Sequence, residues 1–116
     1  DQPPADPERN PEINVGTGSM ERAHWAPLVD RFMGSLQEAD YLGRHLDVRE
    51  NVNFRGRYLA RFIHTHFPRS GCCLAIEVKK IFMDEWTGTL NVASFDALLR
   101  AFQGALDCIE EVPWTR

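Results

Sequence analysis

The chain has 116 residues, and its 13 Lys and Arg against 17 Asp and Glu give a formal net charge of −4 at pH 7. This length fits one compact unit or a piece of a larger one, and the acidic balance disfavours binding to nucleic acid or to an anionic membrane. Hydrophobic residues make up 43% and charged residues 26%, close to the globular average, which excludes disorder as a description of the whole chain. No run approaches the ~18 apolar residues of a membrane-spanning helix.

Residues 1–18 contain four of the seven prolines and few large apolar side chains. This composition predicts an extended lead-in, which gains order only by lying against a larger body. Residues 19–116 are predicted to form a single α/β unit.

Three helices are predicted in this unit. Ser19 is a suitable N-cap for the first, in which apolar residues from Trp25 to Leu36 recur at intervals of three and four. Ser94 is predicted to cap the last helix, and Pro113 is predicted to stop it. Apolar stripes are formed by Tyr58, Leu59, Phe62, Ile63 and Phe67 in the second helix and by Phe95, Leu98, Leu99, Phe102, Leu106 and Ile109 in the last. We expect each stripe to pack on the core.

Two strands are predicted between the helices. Residues 45–50 alternate between apolar and polar, and residues 72–78 are almost continuously apolar, which is typical of the central strand of a parallel sheet. The predicted order is therefore helix, strand, helix, strand, helix, with a βαβ crossover. Because two strands do not make an independent sheet, we expect this piece to dimerise through its sheet or to belong to a larger α/β domain.

The number and spacing of the cysteines indicate in which cellular compartment the protein works. Cys72, Cys73 and Cys108 are odd in number and two are adjacent, which is not typical of a disulfide framework. The first residues also lack the basic and apolar parts of a secretory signal. We therefore expect a cytoplasmic setting, in which the cysteines behave as small buried hydrophobic residues.

Glu77 is the main candidate for chemistry because it interrupts the apolar run of the predicted central strand. Ligands of open α/β sheets bind outside the carboxyl ends of the strands, and apolar flanks favour the protonated form of a carboxyl group, which suits a general base or acid. The competing interpretation is an ion pair with Lys79, with Lys80 or with an arginine at the sheet edge.

The second predicted helix carries basic candidates. Arg57 and Arg61 are four residues apart and share one face, where they are candidates for a bidentate clamp on a substrate carboxylate. A solvated helix face is the competing interpretation. His64 and His66 point in nearly opposite directions on a helix, so we expect no shared metal ion and predict no metal ligand in this chain.

The stretches Asn53–Arg61 and Cys72–Gly88, with the lead-in Asn10–Gly18, resemble the C-terminal part of N-formylglutamate amidohydrolase-family proteins, most specifically from Glu77 to Gly88. The resemblance implies a three-layer α/β fold like that of zinc carboxypeptidases, and hydrolysis of N-formyl-glutamate to formate and glutamate. It further implies that Glu77 is the general base that activates the attacking water and that Arg61 binds the carboxylate of a small N-acyl amino acid. Arg57, which departs from the family pattern, is a second candidate for that carboxylate because it shares the helix face of Arg61.

The resemblance also implies that the zinc ligands of the family lie in an N-terminal portion outside this sequence. We therefore expect this chain to be the C-terminal part of such an enzyme. We expect the intact parent enzyme to contain zinc, and we expect the isolated chain to bind none and to be inactive. The alternative interpretation is that the chain is a noncatalytic module that self-associates through its exposed sheet edge.

Overall fold

The computed structural model describes residues 11–52, 55–56, 58–83 and 86–110. Within these ranges, strands and helices alternate along a small mixed α/β domain, which confirms the predicted α/β class. The elements in chain order are β1 (Ile13–Gly16), α1 (Arg22–Glu38), β2 (Val48–Glu50), α2 (Tyr58–His66), β3 (Ala75–Val78) and α3 (Val92–Glu110).

The described residues form a sheet of three strands in the order β2-β1-β3, so β1 is its centre. β1 runs parallel to β2 and antiparallel to β3. The prediction that residues 72–78 form the central strand of a parallel sheet is therefore wrong, because β3 is an antiparallel edge strand. The predicted element order is wrong at its start as well, since residues 13–16 form a strand within the predicted lead-in.

The core lies between the sheet and the two long helices. Ile13 and Val15 of β1 are fully buried, and they belong to one hydrophobic cluster with residues of β2, α1 and α3. The apolar stripe predicted for α1 is confirmed, and its buried members are Trp25, Leu28, Val29, Phe32, Met33 and Leu36. α1 contacts β2 and, more extensively, α3. The small side chains of Ala101 and Ala105 on α3 are buried in that contact and let the two helices approach closely.

The other two predicted stripes pack differently from expectation. α2 turns Ala60 and His64 inward, while Tyr58, Leu59 and Phe62 are exposed on the opposite side. On α3 the buried residues are Ser94, Leu98, Ala101 and Ala105, and much of the predicted stripe faces outward. No helix in the described part of the chain is long and apolar enough to cross a bilayer.

Candidate functional site

The sheet register brings Glu77 into a row of polar residues. Asn14 of β1 pairs with Arg49 of β2 on one side and with Glu77 of β3 on the other. Residues paired in this way share one face of a sheet, and side chains alternate along a strand, so the row lies opposite the core residues Ile13 and Val15. We call Arg49, Asn14 and Glu77 the polar row.

The members of the polar row differ in how they are engaged. Asn14 is 1% exposed, and its Oδ1 accepts the Val52 N–H at 2.8 Å. The Arg49 guanidinium donates to both carboxylate oxygens of Asp47, at 2.8 and 3.0 Å. The Glu77 side chain is exposed, and its carboxylate makes no ion pair or hydrogen bond with another described residue. Glu77 is thus the member of the row whose side chain is exposed and unpaired by the other described residues, and we call it the open end of the polar row.

This placement corrects the expected surroundings of Glu77. The prediction relied on desolvation by apolar neighbours on both faces of a central strand, but β3 is an edge strand and leaves Glu77 in solvent. Because β3 is antiparallel, its carboxyl end also lies beside the amino end of β1. Neither Lys79 nor Lys80 forms an ion pair with Glu77 within the described ranges. The lysine contacts that the competing interpretation requires are therefore not present there.

The predicted carboxylate clamp is only partly visible. Arg61 is exposed on α2, and no hydrogen bond or ion pair joins it to Glu77 in the described part of the chain. Arg57 lies outside the described residues. His66 is also exposed, with its ring centroid 4.4 Å from that of Phe62. The role of the two arginines stays a prediction.

The carboxyl end of β1 continues through Gly16, Thr17 and Gly18 toward α1, a strand–glycine loop–helix order that binds phosphates in many proteins. Here the loop amides are engaged otherwise: the Gly18 N–H donates to the Arg55 carbonyl at 2.8 Å, and the Thr17 N–H donates to Asn51 Oδ1 at 2.8 Å. A Cβ on Gly16 would lie 2.8 Å from the Arg55 carbonyl carbon. The glycines therefore serve close chain packing rather than anion binding.

Glu50 is held in place beside this loop. Arg22 donates to both Glu50 oxygens, at 2.8 and 3.1 Å, and the Thr17 hydroxyl donates to Glu50 as well. The hydrogen bonds from Arg22, which outweigh the opposing effect of burial, hold the pKa of Glu50 below its usual range. Glu50 is therefore an ionised link between β2 and α1, and no candidate for a base.

His64 is a further buried polar residue, at 4% exposure. The Cys73 N–H donates to its Nε2 at 3.0 Å, so the neutral ring carries its proton on Nδ1, which donates to Ser19 Oγ at 2.7 Å. Because Nδ1 has no free lone pair, His64 does not activate Ser19 as a nucleophile. The imidazole instead connects the start of α1, α2 and the segment before β3, a role that the sequence did not indicate.

This arrangement predicts a loss of stability in mild acid. Burial holds the pKa of His64 below its ordinary value of 6.5. Between the folded and unfolded pKa values the unfolded chain binds a proton that the folded chain does not, so stability is complete above about pH 6.5 and falls as the pH is lowered toward the folded pKa. Urea unfolding measured from pH 7.5 down to about pH 5.5 checks this direction.

The control for this prediction is His64→Gln, whose amide accepts from Cys73 and donates to Ser19 without titrating. We expect a flatter pH dependence in this variant. The carboxylates of Glu12 and Glu50, whose pKa values are lowered, lose their contribution only below about pH 4.5, outside this window. An equal slope in both proteins would show that His64 does not carry the effect.

The described residues give little support for cysteine chemistry or for metal binding near β3. Burial, and next the neighbouring Cys73, raise the pKa of Cys72 to about 11, so its thiol is protonated at neutral pH. Among the described residues, no three His, Cys, Asp or Glu side chains are grouped so that they could hold a metal ion.

Comparisons of the chain with protein-family models, curated proteins and solved structures give no match.

Proposed function

We propose that this chain is part of an amidohydrolase that cleaves the formyl amide of N-formyl-glutamate, or the acyl amide of a related acidic amino acid, with Glu77 as the general base. The observation that carries the proposal is the exposed Glu77 carboxylate, which is unengaged by the other described residues and lies at the open end of the polar row. It opens the run from Glu77 to Gly88, the most specific part of the family resemblance.

The proposed reaction uses one water and moves one proton through Glu77. The carboxylate removes a proton from water as the oxygen attacks the formyl carbon, and it then delivers this proton to the amide nitrogen as the carbon–nitrogen bond breaks. Formate and glutamate leave. Arg61, exposed on α2, is proposed to bind a carboxylate of the substrate, with Arg57 beside it.

Zinc and the complete fold are proposed for the intact enzyme. The described residues do not supply a ligand set for zinc, so we propose that its ligands belong to another part of that enzyme and assign no step to the metal. The intact enzyme is proposed to have the three-layer, zinc-carboxypeptidase-like fold, and the isolated chain is proposed to be inactive. The free thiols of Cys72, Cys73 and Cys108 support a cytoplasmic location.

The test is formate release from N-formyl-L-glutamate by the intact enzyme that contains this chain. Glu77→Gln is expected to lower kcat by about 100- to 10,000-fold with little change in KM, because the carboxylate acts on the water and not on substrate binding. Glu38→Gln, which changes an exposed carboxylate on α1, is the matched control and should leave kcat unchanged. An unchanged kcat in Glu77→Gln would contradict the proposal.

A second candidate function is favoured by one observation. β3 is an edge strand, and its Ile76 is 37% exposed, so the sheet offers an edge to a second copy of the chain. A noncatalytic module that self-associates through this edge would show no hydrolysis in any longer form of the protein.

A further inference from the structure

The outward side of α2 is apolar and basic. Tyr58, Leu59 and Phe62 are 79%, 64% and 44% exposed, and they lie opposite the buried Ala60 and His64. Residues 53–76 contain four arginines and no Asp or Glu, within a chain whose net charge is −4. Of the described arginines in this segment, Arg61 is exposed on α2 and Arg69 forms an ion pair with Glu21 at 3.3 Å. We call Tyr58, Leu59 and Phe62, with Arg61 beside them, the basic face.

The outward side of α3 is apolar and acidic. Four of its hydrophobic residues are exposed to different extents, with fractions of 71%, 38%, 53% and 47% for Val92, Phe95, Leu99 and Leu106, and the Phe95 ring also packs edge-on against Phe82, with the ring centroids 5.8 Å apart. Helical spacing places Asp107 and Glu110 next to this stripe, and Asp96 lies on the same side, paired with Arg100 at 2.8 Å. We call Val92, Phe95, Leu99 and Leu106, with Asp107 and Glu110, the acidic face.

We propose that the chain self-associates, with the basic face of one copy docked on the acidic face of a second. Contiguous exposed apolar surfaces of this kind mark sites of protein interaction. The two faces carry opposite charges on one chain, so the chain itself provides a partner for each face, and like-charge contact would disfavour pairing either face with itself. This self-association does not require the proposed hydrolase activity, although Arg61, the proposed carboxylate ligand, also belongs to the basic face.

The test is the association state of the full chain, measured by sedimentation velocity over a range of concentrations at low and high salt. We expect self-association that weakens with salt, because exposed opposite charges are screened. Leu59→Ser on the basic face and Leu99→Ser on the acidic face should each raise the dissociation constant about tenfold or more. Leu42→Ser, at a 56% exposed residue outside both faces, is the matched control and should change it little.

Charge is tested in the same way. Arg61→Glu removes the basic charge beside Phe62 and should weaken association, whereas Lys80→Glu makes the same change at an exposed residue outside both faces. Circular dichroism of each variant checks that the fold is kept, which we expect because every changed side chain is exposed.

A mixture of two variants identifies the pairing. The Leu59→Ser chain keeps its acidic face and the Leu99→Ser chain keeps its basic face, so equal amounts of the two should associate more strongly than either alone. A chain that stays monomeric at every concentration overturns the proposal. So does association that neither variant weakens, or that mixing fails to restore, because the contact would then lie elsewhere, for instance at the β3 edge.

Discussion

Replacing Phe32 with alanine is expected to lower the free energy of unfolding by about 4 kcal/mol. Phe32 is the largest of the fully buried side chains among the described residues, and its ring centroid lies 6.4 Å from that of Phe102 across the contact of α1 with α3. Removing the ring leaves a cavity between two helices whose small residues leave little to collapse into it. Urea unfolding followed by circular dichroism measures the change.

The matched control for Phe32 is Phe67→Ala, at a side chain that is 49% exposed. This change should cost less than about 1 kcal/mol, because much of the removed ring already contacts water. Since a domain of this size has a total stability of about 5–15 kcal/mol, the loss at Phe32 is large enough to populate unfolded chains. Equal effects at the two positions would mean that α1 and α3 do not pack as described.

Gly16→Ala is expected to cost about 3 kcal/mol. The added Cβ would lie 2.8 Å from the Arg55 carbonyl carbon and 2.8 Å from the Gly56 nitrogen, and both are backbone atoms that move only with the chain. The strain therefore falls on the segment that crosses the end of β1, where the Gly18 N–H donates to the Arg55 carbonyl. Thermal unfolding of the variant provides the measurement.

Gly34→Ala is the contrasting substitution, because a Cβ on this helical glycine would meet nothing within 4 Å. Alanine in a helix interior is favoured over glycine by about 1 kcal/mol, so this variant should be slightly more stable than the parent. If the Gly16→Ala protein is as stable as the parent, residues 55–56 can move away from β1 at little cost in free energy.

The sequence predicts α1 well and β1 not at all, for a physical reason. α1 repeats its apolar spacing over several turns, and this pattern alone determines which side is buried. β1 has only four residues between prolines and glycines, and its place at the centre depends on hydrogen bonds to strands far along the chain. α2 shows the limit of periodicity: its most apolar side was predicted to be buried, but the core accepts the small Ala60 and the hydrogen-bonded His64 instead.

The candidate site was predictable in part. A carboxylate within an apolar run marks Glu77, but neither its exposure nor its alignment with Asn14 and Arg49 follows from the run, because both depend on strand order and register. The partner of His64 is equally hidden, since Ser19 lies 45 residues away in the chain. Residue type thus identifies the candidate, and tertiary pairing determines its surroundings.

The central place of β1 also has a consequence for folding during synthesis. β1 precedes both of its neighbours in the sheet along the chain, so it is made before them, and each pairing closes a long loop at an entropic cost. The pairing of the three described strands is complete only after Val78 has been made. Nascent chains halted before β3 would leave the β3 side of β1 unpaired, and we expect chaperones to bind them there.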